Sequence, residues 1–67
     1  MKVFLNGIEK ELEGNQWFLS EVLSCFGQTG AHVAVALNKS FVPKSCYKSQ
    51  EVQEGDLLEV VTPHPGG

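Results

Sequence analysis

Apolar residues along this chain keep changing their period. Val3, Phe4 and Leu5 form a short run that stops at Asn6-Gly7. Asn-Gly between two strand-like runs signals a two-residue hairpin, because both turn positions need positive φ. The return strand covers residues 8–13, with Ile8, Lys10 and Leu12 on one face and Glu9, Glu11 and Glu13 toward water. Lys10 on the apolar parity calls for an edge position, or for a stem laid along the core with its ammonium outside. After a turn at Gly14-Asn15, Leu19, Val22, Leu23 and Phe26 recur at i, i+3, i+4 and i+7, the stripe of an amphipathic helix. Ser20, Glu21 and Ser24 take the other side, and Glu21 near the start complements the helix dipole. Asn15 and Ser20 are the N-cap candidates. Gly27 or Gly30 supplies the left-handed stop. Trp17 and Phe18 anchor the helix entry to the core.

Helical spacing then gives way to strand patterning. Residues 32–38, His-Val-Ala-Val-Ala-Leu-Asn, read as a strand buried on both faces, closed by an Asn38-Lys39-Ser40 turn. Phe41-Val42-Pro43 is a shorter extended piece at an edge, since Pro43 has no N–H for a ladder. Residues 44–51 are polar and read as loop or a single helical turn. Glu54-Gly55-Asp56 is a turn before the last strand, residues 57–62. There Leu58, Val60 and Thr62 share one face and Leu57, Glu59 and Val61 the other. The order is hairpin, helix, strand, short strand, strand. It predicts an α+β roll, a mixed four- to five-stranded sheet covered on one face by one main helix, with the first and last long strands near each other. No internal repeat, linker or low-complexity segment interrupts it.

Composition narrows the function. With 67 residues there is one domain and a thin core. A hydrophobic content of 42% excludes a disordered chain. Eight acids against five bases give a net charge of −3. The bases are scattered lysines with no arginine, which argues against nucleic acid and fits a basic docking surface on a partner. Cys25 and Cys46 are too far apart for a zinc ribbon or a redox CxxC. Cys25 reads as a small buried hydrophobe of the helix stripe, Cys46 as a free thiol. The first residues read as a strand and not as a secretory leader, and no apolar run reaches the roughly 20 residues of a membrane span. The expectation is a cytoplasmic protein. No nucleophile–base arrangement recommends an enzyme, and no residue cluster recommends a bound metal.

The sequence ends Pro63-His64-Pro65-Gly66-Gly67. Two glycines without Cβ pass through a slot barely wider than the backbone. An α-carboxylate on Gly67 is ionised at neutral pH and is a poor electrophile until an enzyme activates it. Pro63 and Pro65 hold φ near −65° and favour an extended approach. Five residues from Pro63 reach up to roughly 16–18 Å. His64 lacks partners within the chain and reads as an exposed tail residue.

Leu5-Asn6-Gly7, the segment Val35-Ala36-Leu37-Asn38 followed by Phe41-Val42-Pro43, the turn Glu54-Gly55-Asp56 and the terminal Gly66-Gly67 together resemble the ubiquitin-like β-grasp sulfur carriers, the ThiS/MoaD family. Within it the likeness is to the thiamin-biosynthesis branch, and it covers essentially the whole chain. Trp17-Phe18 departs from it: Phe18 stands where many members have a small helix-capping residue.

The resemblance implies a β-grasp domain over residues 1–62 and a flexible tail over residues 63–67. It implies that Gly67 is adenylated and converted to a thiocarboxylate, with Gly66, Pro65 and His64 threading behind it. An E1-like adenylating enzyme of the ThiF type would bind the sheet face and supply ATP and magnesium, so the carrier holds no cofactor of its own. A donor protein's persulfide sulfur would displace AMP, and a thiazole synthase of the ThiG type would use the sulfur to build the thiazole of thiamin. For docking, Phe41, Phe4, Val60 and Tyr47 are the candidate surface residues, Phe41 first because it follows a turn beside an edge. Two alternatives stay open: the small subunit of molybdopterin synthase, and a ubiquitin-like modifier or interaction module.

Overall fold

A computed structural model describes residues 1–28 and 33–62. The expectations for Gly30, His32 and residues 63–67 lie outside them. Strands β1 (Lys2–Leu5) and β2 (Ile8–Glu11) form the predicted hairpin, with Leu5 opposite Ile8. Asn6 and Gly7 turn it with φ of 50° and 84°, as a type I′ turn requires. Lys10 lies opposite the buried Val3, and its ammonium sits 5.8 Å from the centroid of the Phe26 ring. The stem thus follows the core side while the charge rests on an aromatic face.

Helix α1 (Leu19–Cys25) buries Leu19, Val22 and Leu23, as the stripe predicts. Neither Asn15 nor Ser20 caps it. Phe18 is the N-cap, and its N–H donates to the Glu21 carboxylate at 2.9 Å. The next two N–H groups, of Leu19 and Ser20, donate to the carbonyls of Gln50 and Tyr47 at 2.7 and 3.0 Å. A neighbouring loop therefore satisfies donors that a capping side chain would otherwise take. At the other end Gly27, with φ 72°, closes a Schellman motif: Gln28 N–H donates to Leu23 and Gly27 N–H to Ser24. Cys25 is exposed and not part of the core. At about 100° per residue it lies well round from the apolar stripe.

Strands β4 (Ala34–Leu37), β5 (Ser40–Val42) and β7 (Leu57–Val61) complete the main sheet, in the order β2-β1-β7-β4-β5. A 3₁₀ turn at Lys44–Cys46 follows β5. Strands β1 and β7 are parallel, and the other pairs are antiparallel. Two very short strands, β3 (Trp17–Phe18) and β6 (Glu51–Val52), pair beside the helix entry. Val3, Leu5, Val35, Leu37, Leu58 and Val60 face α1 across a single core. Because the one helix covers one face, β4 is not buried on both sides: Ala34 is exposed and Ala36 half-buried. The start of β7 is held by Asn38. Its carboxamide accepts from Leu57 N–H at 2.9 Å and donates to Asp56 at 3.0 Å.

Candidate docking face

Residues directly opposite in paired strands point to the same face, so register alone maps the uncovered side of the sheet. Phe4 pairs with Leu57, Ala36 with both Glu59 and Phe41, and Ala34 with Val61. Phe41 is 70% exposed, Val61 62% and Leu57 42%. Between Phe41 and Val61 runs a shallow groove lined also by Ala34, Ala36 and Glu59. The alanines leave room that larger side chains would fill. The groove is apolar apart from Glu59, an exposed residue of its lining. Toward β2 the face turns charged, with the Lys2 ammonium 3.7 Å from the Glu9 carboxylate. An exposed apolar strip with a charged margin is what a docking surface presents.

Two of the four candidate surface residues lie on this face, Phe41 and Phe4. Val60 does not. It is 8% exposed and sits in the core, sharing the parity of Leu58. Its neighbour Val61 is the exposed one. Tyr47 is also misplaced: it packs against the core beside the helix start, and burial raises its phenol pKa above the usual 10. Val61 and Leu57 were missed, although strict alternation from the Leu58 position would have found both. His64, Pro65, Gly66 and Gly67 lie outside the described residues. Strand β7, which leads to them, is the central strand of the sheet. Among the described residues, no group of three or more His, Cys, Asp or Glu side chains is placed to hold a metal ion. No helix among them is long and apolar enough to cross a membrane.

Residues 3–67 match the ThiS family. The chain belongs to the ThiS family. Its fold is similar to the crystal structure of the thiamine biosynthesis protein ThiS from Geobacter metallireducens, with a TM-score of 0.86, 26% identity and full coverage of both chains. A solution structure of a thiamine biosynthesis protein from the same organism gives a TM-score of 0.80 at 26% identity, covering all of this chain and 88% of that one. A thiazole synthase from Paramagnetospirillum magneticum is 36% identical over all 67 residues of this chain, which span only 20% of that protein's length. The α+β roll read from the element order, and the β-grasp domain the resemblance implies, are the ThiS fold, with the predicted adjacency of first and last strands realised as the parallel β1–β7 pair.

Proposed function

We propose that this ThiS-family chain is a sulfur carrier of thiamin biosynthesis that works through the carboxylate of Gly67. An E1-like adenylating enzyme of the ThiF type docks on the open sheet face around Phe41, Phe4, Val61 and Leu57. With its own ATP and magnesium it joins AMP to the Gly67 carboxylate, which makes that carbonyl electrophilic. A persulfide from a sulfur donor protein displaces AMP, and cleavage of the resulting acyl disulfide by a thiol leaves a thiocarboxylate. Gly66, Pro65 and His64 thread behind Gly67. The carrier contributes no catalytic residue: it is a recycled co-substrate.

The observation that carries this reading is the family match, whose range of residues 3–67 includes Gly66-Gly67. The thiamin pathway is favoured over the molybdopterin one by the thiazole synthase relative, in which a stretch like this entire chain forms part of a longer protein. That arrangement suits a carrier whose partner is a thiazole synthase of the ThiG type. Cys25 and Cys46 are free thiols, which fits a reducing, cytoplasmic setting.

Incubation with an adenylating enzyme of this type, ATP, magnesium and a persulfide donor tests the reading by intact mass. Exchange of one oxygen for sulfur supports it. A mass that stays unchanged with enzyme that loads another ThiS protein in parallel rejects it. Lysine-linked adducts would point to a modifier instead. Turnover with a thiazole synthase, and none with a molybdopterin synthase large subunit, separates the two carriers.

A further inference from the structure

Strand β1 stops at Leu5 while its parallel neighbour β7 runs on to Val61. Phe4 N–H in β1 donates to Asp56 and Asn6 N–H, just past its end, to Leu58, at 2.9 and 2.8 Å. The next rung would need a β1 carbonyl and a β1 N–H facing Val60, but the chain has already turned into the hairpin. The Asn6 side chain takes their place. Its Oδ1 accepts from Val60 N–H at 2.8 Å, and its Nδ2 donates to Val60 C=O at 3.1 Å. Both polar backbone groups of Val60 point to this flank. Both bonds are partly shielded from water, where an unpaired group is costly. Asparagine suits the position twice over: it tolerates the left-handed φ of 50° the turn imposes, and its amide has the donor–acceptor pair of a peptide unit.

We propose that Asn6 is a positioning residue for the carrier tail, holding the end of β7 in register so that the residues beyond it leave the sheet from a fixed point. This inference rests on the carrier reading above. Only Val61 and Thr62 separate the clamped residue from Pro63. Loosening the base of a tail widens the volume its tip samples, and so lowers the effective concentration of the Gly67 carboxylate at a docked active site. Small displacements of a reacting group have large kinetic effects. Of the open-face residues only Val61 adjoins the clamp, while Phe41, Phe4 and Leu57 lie elsewhere on the sheet, so the effect on kcat exceeds the effect on KM.

The fold contains its own control. Asn38 pins the opposite end of β7 through Leu57 N–H, also from a left-handed turn position with φ 51°. The experiment compares Asn6→Gly with Asn38→Gly, since glycine keeps either turn but removes the amide. Amide hydrogen exchange is followed at Val60, Val61 and Thr62. Sulfur loading is followed as kcat and KM of the adenylating enzyme with carrier as substrate. Asn6→Gly is expected to speed exchange at Val60 about tenfold or more relative to Val35. It should lower kcat about ten- to a hundredfold with a much smaller change in KM. Asn38→Gly should destabilise the domain while leaving kcat near wild type. Asn6→Asp, which keeps the acceptor for Val60 N–H and loses the donor, should fall between, and it replaces the glycine variant if that does not fold. Equal kcat for the Asn6 and Asn38 variants, or Val60 exchange that does not respond, overturns the proposal. Should the wild-type chain itself take up no sulfur, the carrier reading falls, and the exchange comparison still decides whether Asn6 anchors β7.

Discussion

Lys39 carries a φ of 71° as the second residue of the Asn38-Lys39 turn between β4 and β5. The hairpin of β1 and β2 solves the same problem with Gly7 at φ 84°. A lysine Cβ in the left-handed region costs energy that glycine does not. Lys39→Gly should therefore stabilise the domain by about 0.5–1 kcal/mol, a rise of several degrees in Tm for a chain this size, read by thermal denaturation. At this scale the sequence was legible where chemistry is local. Asn6-Gly7 announced its turn, and Lys10 announced an edge position or a snorkelling stem and has both. It misled at Val60 and Cys25, where an apolar side chain was assigned by type and not by its place in the alternation or on the helix. It was silent on the Asn6 amide, because nothing local shows that a turn residue reaches across to a strand 54 residues away.

Helix α1 is seven residues long, too short to persist without tertiary support, so its ends matter. Gly27 occupies the left-handed position of the Schellman stop, and a Cβ built there meets nothing within 4 Å. Gly27→Ala should thus cost about 1 kcal/mol through backbone strain alone, seen as a lower denaturation midpoint with an unchanged m-value. The stop was readable from Gly27; the start was not. The donors of Leu19 and Ser20 are met by carbonyls of residues 47 and 50, so the N-cap needs no polar side chain and left no signature. Strands β3 and β6 escaped notice for a related reason. Each has two residues, and two residues define no period.

Among the described residues, helix α1 and the five-stranded sheet divide the surface into a closed side and an open one. The open side carries Phe41, Val61 and Leu57, and its groove is lined by Phe41, Val61, Ala34, Ala36 and Glu59. Phe41→Glu places a carboxylate on the most exposed large side chain of this face. It should weaken docking of the adenylating enzyme at least about tenfold, as hot-spot aromatics do, with a Tm within a few degrees of wild type. Raised KM at unchanged stability checks it; an unchanged KM removes Phe41 from the docking face. The overall architecture was legible because hairpin, helix and strand order leave few ways to bury one core. The open face was only half legible, since exposure depends on which side α1 covers.

If this ThiS-family chain carries sulfur on the Gly67 carboxylate, as proposed, the sulfur must be found at that one group and nowhere else. Fragmentation mass spectrometry of the chain after loading with adenylating enzyme, ATP, magnesium and a persulfide donor locates any added sulfur. The predicted result is a single oxygen-to-sulfur exchange confined to the C-terminal fragment containing Gly67, abolished when ATP is omitted. Sulfur found on Cys25 or Cys46 with Gly67 unmodified would contradict it.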